Sequence, residues 1–376
     1  MLKYFYIAPL LALLTGSLVY CAIAVVAAWR YRQSGTARLA QLPPVSVLRP
    51  LAGAEDDTEA NLRSVFAQAY PAFEVLLSVH EADDPAAAVA YRVIADYPAV
   101  RARLIVAGLS PMPNAKVWSL RALMREARHE HVVMADSDIR LEPDCLATVV
   151  SELEQPGVGL VTCPYRATGG PRFWSRVEAL GLNTEFLAGM LSQRFLNGMD
   201  FAIGCTIAIR KAELEDIGGL PRLQRYLAED FVMGNLVHER GRKVVLSRSV
   251  IEHHIGNDRF VENWRHRLRW ARSTRRSRPI GYLGEIFTKP VALGLMLWIA
   301  APSMWWGLAA AMVFRAAVAW STAGMILRDP CIERYWWMLP VEDVASFVTW
   351  VLGFFGKTIL WRGRRLVVAR DGSLEV

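Results

Sequence analysis

The chain has 376 residues, of which 53% are apolar and 21% are charged. Soluble domains carry about a quarter charged residues, so the apolar excess has to be concentrated in particular segments, and a charged disordered chain or a disulfide-stapled small scaffold is excluded. The net charge of +7 is compatible with nucleic acid, a membrane surface or an anionic substrate, and only the placement of the charge can decide between these partners.

The N-terminal segment is free of charge between Lys3 and Arg30. This stretch exceeds the roughly 20 residues that cross a hydrocarbon core and the 7–15 apolar residues typical of a signal peptide. It predicts an uncleaved transmembrane anchor over 1–30. Arg30, Arg32 and Arg38 follow, and the positive-inside rule places the residues after them in the cytoplasm. The five scattered cysteines show no metal-binding spacing and agree with a reducing compartment.

The region from 41 to 288 carries most of the charge and alternates strand-like with helix-like stretches. This alternation predicts an α/β domain with a parallel sheet and helices on both faces. Ligands bind such sheets at the carboxyl ends of the strands. The predicted strands are Val45–Leu51, Glu74–His80, Arg103–Ala107 and His131–Ala135, and the predicted helices are Asn61–Gln68, Pro85–Tyr97 and Val117–Arg128.

Acidic residues follow two of these predicted strands. Asp136 and Asp138 come directly after one strand, and the segment 81–85 (EADDP) follows another. One or two carboxylates together with substrate phosphates are the usual ligands of Mg²⁺ or Mn²⁺, whereas a solvated turn or a helix N-cap is the alternative interpretation. The glycine patterns of dinucleotide and P-loop sites are missing after the first strand, which disfavours both.

Two further motifs lie downstream. Residues 228–231 (AEDF) begin a helix-like stretch, and His266, Arg269 and Trp270 have the i, i+3, i+4 spacing of one helix face. Such a face can hold a diphosphate and stack on a sugar or a lipid headgroup. The alternative is a basic helix beside the membrane that attracts anionic lipids. That second role is expected of Arg272, Arg275, Arg276 and Arg278.

The C-terminal part predicts a membrane region over 289–360 and a basic tail over 361–376. Uncharged, tryptophan-rich stretches indicate two or three membrane segments, at Pro290–Phe314, onward to Leu327, and around Val344–Gly356. The N-terminal anchor and three C-terminal segments would make an even number of spans, which places both ends of the chain on the same side of the membrane. A cytoplasmic C-terminus would then conflict with an N-terminus outside, so the number of spans stays open. The basic residues cluster beside these segments rather than along an aromatic-interleaved face, which argues against nucleic acid as a partner.

These motifs, in this order, resemble the family-2-type inverting glycosyltransferases and, among them, the ceramide glucosyltransferase branch. The resemblance is carried by VSVLRPLAGAED, YPAFEVLLSVHEADDP, VVMADSDIRLEPD, GVGLVTCPY, YLAEDFVMG and HRLRWAR. Within the branch the chain is most similar to the bacterial glycosyltransferases associated with hopanoid biosynthesis, which transfer N-acetylglucosamine to a polyhydroxylated hopanoid. The resemblance implies a GT-A-type fold with a mostly parallel sheet, N- and C-terminal transmembrane helices, and a multi-pass protein of the bacterial cytoplasmic membrane whose catalytic domain faces the cytoplasm.

The resemblance also implies roles for individual residues. Asp230 falls at the position of the general base, and Asp136 and Asp138 at the DxD that touches the sugar nucleotide and its divalent cation, Mg²⁺ or Mn²⁺. Arg269 and Trp270 fill the last two places of a (Q/R)xxRW motif. The further contacts expected with the nucleotide diphosphate or base are Asp84, Glu81 (where Asp is usual), Lys116 and His266 (where Gln or Arg is usual).

The reaction implied is a single displacement from a UDP-sugar onto a hydroxyl of a membrane lipid. A bacteriohopanepolyol acceptor with N-acetylglucosamine is preferred, and ceramide with UDP-glucose is the alternative. A processive polysaccharide synthase would need more membrane helices to form a channel. A non-catalytic membrane scaffold that binds nucleotide or lipid is disfavoured by the intact Asp136, Asp138 and Asp230.

Overall fold

The computed structural model describes residues 2–35, 39–361, 364–369 and 371–375, so Arg38, Arg362 and Gly363 of the predicted basic segments lie outside the described residues. The strands are β1 Val45–Pro50, β2 Phe73–Val79, β3 Arg101–Val106, β4 His131–Ala135, β5 Ile139–Arg140, β6 Val158–Thr162, β7 Tyr165–Thr168, β8 Thr206–Arg210, β9 Lys243–Leu246, β10 Ile251–His254, β11 Thr358–Trp361, β12 Arg364–Val368 and β13 Leu374–Glu375. The α-helices are α1 Leu2–Gln33, α2 Thr58–Phe66, α3 Pro85–Asp96, α4 Ala115–Glu126, α5 Cys145–Leu153, α6 Phe173–Gly181, α7 Leu187–Asn197, α8 Lys211–Asp216, α9 Gly219–Leu223, α10 Glu229–Glu239, α11 Phe260–Ser277, α12 Pro279–Gly284, α13 Pro290–Ala300, α14 Trp305–Ala319, α15 Cys331–Tyr335 and α16 Leu339–Gly353. Short π-helices cover Leu182–Phe186 and Trp320–Ile326, and 3₁₀ turns cover Glu285–Thr288, Pro302–Met304 and Trp336–Met338.

The chain divides into two compact units, which we call the sheet unit and the helical unit. The sheet unit comprises Gly35–Tyr165, Met199–His254 and Ser373–Val376, and the helical unit comprises Met1–Ser34, Arg166–Gly198 and Ile255–Gly372. This division differs from the boundary predicted at residue 288. Helices α6, α7 and α11 belong with the terminal helices because they pack against α1 and α16.

The sheet unit contains a seven-stranded sheet within the described residues, in the order β3-β2-β1-β4-β8-β6-β9. The pairs β3–β2, β2–β1, β1–β4 and β6–β9 are parallel, whereas β8 runs antiparallel to both of its neighbours. The prediction of an α/β fold with a mostly parallel sheet is confirmed. The predicted strands agree with β1 to β4 to within two residues at each end. Strands β1, β2 and β4 are buried runs rich in Val and Leu, as expected for strands covered on both faces, whereas the edge strand β3 is only partly buried.

The register of the sheet brings several loops to one edge. Strands β1, β2 and β4 all end there, and Ala135 at the end of β4 pairs with Thr206 at the start of the antiparallel β8. The loop before β8 therefore lies beside the loop after β4, and the amide of Asp136 donates to the carbonyl of Cys205 at 3.0 Å. This edge receives the acidic residues that the sequence singles out, as the carboxyl ends of parallel strands predict.

The helical unit contains helices that are long and apolar enough to cross a membrane. Two qualify by length and composition within the described residues, Ile7–Gln33 and Pro302–Ile326. A third is added if Pro279–Thr288 and Pro290–Ala300, which meet at 63°, count as one broken span. The N-terminal membrane segment is thus confirmed as a candidate span, and α1 packs on α7, α13 and α14.

The predicted C-terminal segments take a different form. The uncharged stretch Pro290–Phe314 is two helices interrupted at Ala301, because Pro302 cannot continue the first one. Around Val344–Gly356 the chain forms α16, which begins at Leu339 and has 15 residues, fewer than the roughly 20 that a span needs. Its fourth and fifth residues are acidic, Glu342 and Asp343.

Those two acidic residues join α16 to other helices of the helical unit. Asp343 Oδ1 accepts from Arg315 Nε at 2.9 Å, and its Oδ2 accepts the amides of Val291 (2.8 Å) and Ala292 at the start of α13. Glu342 forms a two-point ion pair with Arg267 on α11, at 3.1 and 2.8 Å. Ion pairs of this kind are how charged groups are accommodated inside apolar helix bundles.

Two basic residues of α11 have a role that the sequence analysis did not foresee. Arg272 donates to the carbonyls of Phe355 (3.1 Å) and Thr358 (2.7 Å), and Arg275 donates to those of Phe354 and Gly356. Cations at a helix C-terminus satisfy carbonyls that lack an intrahelical partner. Arg272 and Arg275 therefore cap the end of α16, and the role with anionic lipids stays a prediction.

Candidate active site

The centre of the site is the turn between β4 and β5, which carries Asp136 and Asp138. The imidazole Nε2 of His253, on β10, lies 3.3 Å from Asp138 Oδ2, and the amide of His254 donates to the Asp138 carbonyl at 2.9 Å. Strand β10 reaches this turn because it pairs antiparallel with β5. Burial alone would raise the pKa of Asp138, but the His253 contact outweighs it, so the pKa is lowered and the carboxyl is held ionised.

A fully buried arginine supports the same turn from β1. Arg49 donates to the carbonyl of Ser137 at 3.0 Å and to that of Ile139. These are the residues before and after Asp138, so Arg49 holds the backbone on both sides of it. Burial lowers its pKa to about 10, and Asp138 and Asp136 partly offset that effect. A guanidinium remains charged at this value, so Arg49 places a fixed positive charge beneath the two aspartates.

Lys116, on the first turn of α4, joins the turn to a second acidic group. Its Nζ lies 2.6 Å from Asp136 Oδ1 and 3.0 Å from Glu229 Oε1, and it donates to the carbonyl of Gly204 at 3.2 Å. Burial alone would lower the Lys116 pKa, but Asp136 and Glu229 raise it well above its ordinary value. The N-cap residue of α4, Asn114, donates from Nδ2 to Glu229 Oε2 at 2.9 Å and so fixes the other side of that carboxylate.

Asp230 stands next to this cluster, in the first turn of α10. Its carboxylate lies against Gly204, where a Cβ would come within 2.9 Å of Asp230 Oδ2. Burial raises the Asp230 pKa to about 7, assisted by Glu229, while Lys116 opposes the shift. The pKa of Asp136 is raised in the same way, to about 6. A carboxyl group with a pKa near neutral pH is suited to accept a proton.

Replacing Gly204 by alanine is expected to displace the Asp230 carboxylate. The added methyl group would overlap Asp230 Oδ2 and come within 3.1 Å of Cγ. Misplacement of a reacting group by about 1 Å costs on the order of 10²-fold in rate. Turnover should therefore fall by about 10- to 100-fold, with donor affinity nearly unchanged. Gly189→Ala on α7, where the nearest atom is 4.0 Å away, is the matched control, and equal effects of both variants would contradict the argument.

The donor atoms of this cluster fit a divalent cation. Asp138 Oδ1 is buried and has no hydrogen-bond partner among the described residues, so one hard oxygen is left for a ligand. Asp136 offers a second carboxylate, of which Oδ1 is already engaged by Lys116. No group of three or more His, Cys, Asp or Glu side chains in the described part of the chain is arranged to hold a metal. A cation would thus depend on one or two carboxylates and on the phosphates of a substrate, as is usual for Mg²⁺.

Asp84 and Glu81 lie in the loop after β2. Asp84 is the N-cap of α3: its Oδ1 accepts from the amides of Ala86 (2.9 Å) and Gly53 (3.0 Å). Gly53 has a φ of +70°, which glycine adopts without strain, so Asp84 ties this turn after β1 to the helix. Glu81 is exposed, and its carbonyl accepts from the Asp84 amide.

His266, Arg269 and Trp270 lie on α11, in the helical unit. The predicted helix is confirmed, and the rings of His266 and Trp270 meet edge-on with centroids 5.8 Å apart. His266 Nδ1 lies 2.6 Å from Glu178 Oε1 on α6. The seven residues Asp84, Glu81, Lys116, Asp136, Asp138, Glu229 and Asp230, by contrast, all lie in the sheet unit.

Sequence reasoning missed several side chains of the site. Arg49 was available as a signal, because an arginine inside the apolar run VSVLRPL is unusual for a buried strand. Asn114 could be recognised as an N-cap but not as a partner of Glu229. His253 and Glu178 had no local signal, since each meets its partner across about 90 residues or more of sequence.

Comparison with known proteins defines the family. The sequence profile described as Glycosyl transferase family 21 matches residues 10–374, nearly the whole chain. The chain belongs to glycosyl transferase family 21. The predicted ceramide glucosyltransferase branch is thereby confirmed at the level of the family.

Individual relatives of this family 21 chain are more distant. Ceramide glucosyltransferase 1 of Caenorhabditis elegans is 28% identical over 208 residues, which cover 55% of this chain and 44% of that protein. Ceramide glucosyltransferase of Komagataella phaffii is 30% identical over 119 residues, which cover 31% of this chain and 23% of that protein. The chain therefore spans less than half the length of the relatives it matches.

Among solved structures, the mannosyltransferase PcManGT of Pyrobaculum calidifontis, in complex with GDP-Man and Mn²⁺, is similar in fold. The superposition has a TM-score of 0.54 at 20% sequence identity and covers 92% of this chain and 98% of that one. This likeness supports the GT-A-like fold that the sequence predicts.

Proposed function

We propose that the protein transfers a sugar, in first place N-acetylglucosamine, from a UDP-sugar to a hydroxyl group of a membrane lipid, in first place a bacteriohopanepolyol. Family membership supports sugar transfer, and the candidate membrane helices support a lipid acceptor. The observation that carries the proposal is Asp230: a half-buried carboxyl group whose pKa is raised to about 7, beside a cluster of charged groups at the carboxyl edge of the sheet.

In the proposed mechanism Asp230 acts as general base. Its carboxylate removes the proton of the acceptor hydroxyl, which attacks the anomeric carbon from the face opposite UDP, so that the configuration inverts in one displacement. Positioned base catalysis typically contributes 10²–10⁴-fold. Burial, together with Glu229 and Asp136, keeps the Asp230 pKa high. The Asp230 carboxylate packs against Gly204, which fixes the position of its oxygens.

The leaving diphosphate requires positive charge. Lys116 supplies an ammonium group at the turn, with its side chain 22% exposed, and Asp138 with Asp136 would hold a divalent cation, Mg²⁺ or Mn²⁺, which neutralises phosphate charge when bound. The mannosyltransferase of similar fold was solved with a nucleotide sugar and Mn²⁺, which supports this part of the proposal. Asp84 and Glu81 in the sheet unit, and Arg269 and Trp270 on α11, are proposed as further contacts with the donor.

Ceramide with UDP-glucose is the second candidate, favoured by the ceramide glucosyltransferases among the relatives. The deciding experiment offers UDP-N-acetylglucosamine and UDP-glucose to the detergent-purified chain, each with bacteriohopanetetrol and with ceramide. We expect transfer from UDP-N-acetylglucosamine to bacteriohopanetetrol, with inverted configuration by NMR. Transfer to ceramide alone would replace the preferred substrates but leave the mechanism, whereas transfer to neither lipid would refute the proposed activity.

We also propose that the protein is located in the bacterial cytoplasmic membrane, with the sheet unit facing the cytoplasm. This location is supported by Arg30 and Arg32 in the last turn of α1 and by the free cysteines, four of which are buried.

A further inference from the structure

A buried carboxylate and an imidazole form a close pair in the helical unit, away from the cluster around Asp136. Glu178, on α6, is 6% exposed, and its Oε1 lies 2.6 Å from His266 Nδ1 on α11. Its Oε2 accepts from Asn263 Nδ2, one turn earlier on α11. Both oxygens of the carboxylate are thus held by one face of α11, so its orientation is fixed.

This contact determines which nitrogen of His266 faces outward. Nδ1–H is the donor to Glu178, because a carboxylate can only accept, and Nε2 remains for another group. Trp270 packs edge-on against the same ring, with the ring centroids 5.8 Å apart. The His266 side chain is 31% exposed, and no hydrogen bond links its Nε2 to any part of the chain that the structure describes.

The surroundings of Nε2 combine charges of both signs with aromatic surface. Glu178 and Asp258 bring negative charge to this place, and Arg172 brings positive charge. Apolar rings lie beside it: Trp270 is 36% exposed, and its ring contacts that of Phe186 at 6.0 Å. A nitrogen that accepts a hydrogen bond, next to exposed aromatic surface, matches the polar end of an amphiphile.

We propose that Glu178 and His266 form a hydroxyl-binding dyad, in which His266 Nε2 accepts a hydrogen bond from a hydroxyl of the acceptor lipid and Glu178 is the positioning residue. The inference rests on the proposed function, since it names the acceptor subsite of that reaction. It also gives His266 a different role from the diphosphate contact implied by the RW motif.

The test compares three variants of His266 and Glu178 with a control on the same helix. His266→Leu removes the hydrogen bond, His266→Gln restores a polar group at the Nε2 position, and Glu178→Gln keeps an oxygen that can accept from Nδ1–H. Arg265→Gln, at an exposed neighbouring position, is the control. The Michaelis constants for the donor and for the acceptor are measured separately, with UDP-N-acetylglucosamine and with bacteriohopanetetrol and short-chain ceramide.

His266→Leu is expected to raise the acceptor KM about tenfold, the effect of losing one hydrogen bond, with donor KM within about twofold of wild type. His266→Gln should recover most of the loss, and Glu178→Gln should fall between. A raised donor KM would instead establish the diphosphate contact and overturn the dyad, as would an acceptor KM that is the same in all variants. Thermal unfolding of each variant separates these effects from a loss of folding.

A binding measurement keeps the dyad testable if the proposed function fails. Radiolabelled bacteriohopanetetrol and ceramide are titrated against the wild-type chain and His266→Leu without donor. Binding that weakens about tenfold in His266→Leu, in a wild-type chain that transfers no sugar, would support the dyad and refute the proposed activity. Equal binding by both, or none by either, would refute the dyad.

Discussion

Replacing Asp230 by asparagine is expected to reduce sugar transfer by about 10²–10⁴-fold, the contribution of a positioned general base. The amide occupies the same volume against Gly204 but cannot accept the proton of the acceptor hydroxyl. Donor affinity should stay within a few fold of wild type, because Lys116, Asp136 and Asp138 remain in place. Product analysis measures the loss of sugar transfer. Calorimetry of UDP binding, on the same preparation, measures the donor affinity.

The same carboxyl group predicts how activity depends on pH. With a pKa raised to about 7, Asp230 is the active base only when ionised, so turnover should fall as the pH drops through about 7. For stability the sign is opposite: the raised pKa favours the protonated folded state, so the contribution of Asp230 to stability is lost as the pH rises from about 4 to 7.

Asp230→Asn should therefore unfold at a higher temperature than wild type at pH 8, by roughly 2 °C or more, and show little difference at pH 4. Gain of stability combined with loss of transfer is the mark of a charge buried for function rather than for folding. Asp200→Asn, at a carboxyl group of the same unit outside the cluster, is the control. Normal turnover by Asp230→Asn would show that Asp230 is not the general base.

The parts of the fold that depend on local sequence are predictable. Strand β4 coincides with the predicted His131–Ala135, and α3 begins at the predicted Pro85, because an apolar run and an Asp-Pro start are both local signals. The antiparallel strand β8 has an equally apolar sequence, but its direction depends on pairing with both β4 and β6, which no local pattern encodes.

The candidate site divides in the same way. Asp136, Asp138 and Asp230 are recognisable from motifs, whereas Arg49, Glu229 and His253 acquire their roles from contacts between distant segments. Glu229 shows what local sequence cannot predict. It is adjacent to Asp230 in the sequence, but its carboxylate is bound by Asn114 and Lys116, which are more than 100 residues away. Spacing along the chain carries no information on such pairs.

Replacing Lys116 by methionine is expected to affect both activity and stability. The ammonium group lies between Asp136 and Glu229, and its charge also lowers the pKa of Asp230. Methionine fills a similar volume but leaves three carboxyl groups without their cation. Breaking a fully buried ion pair from one side costs about 3–5 kcal/mol, and the cost here should be smaller because Lys116 and Asp136 are 22% and 28% exposed, so the variant should unfold at a lower temperature.

The pH profile of the Lys116→Met variant separates electrostatics from general damage. Without the cation, the Asp230 pKa should rise further, so the midpoint of the activity profile should move above the wild-type value of about 7. Lys243→Met, at an exposed lysine of β9, is the control and should change neither midpoint nor stability. Adding Glu229→Gln to Lys116→Met removes one uncompensated carboxylate and should recover part of the stability without restoring turnover. An unshifted midpoint in Lys116→Met would mean that Lys116 does not set the charge state of Asp230, and the electrostatic basis of the proposed base would have to be sought elsewhere.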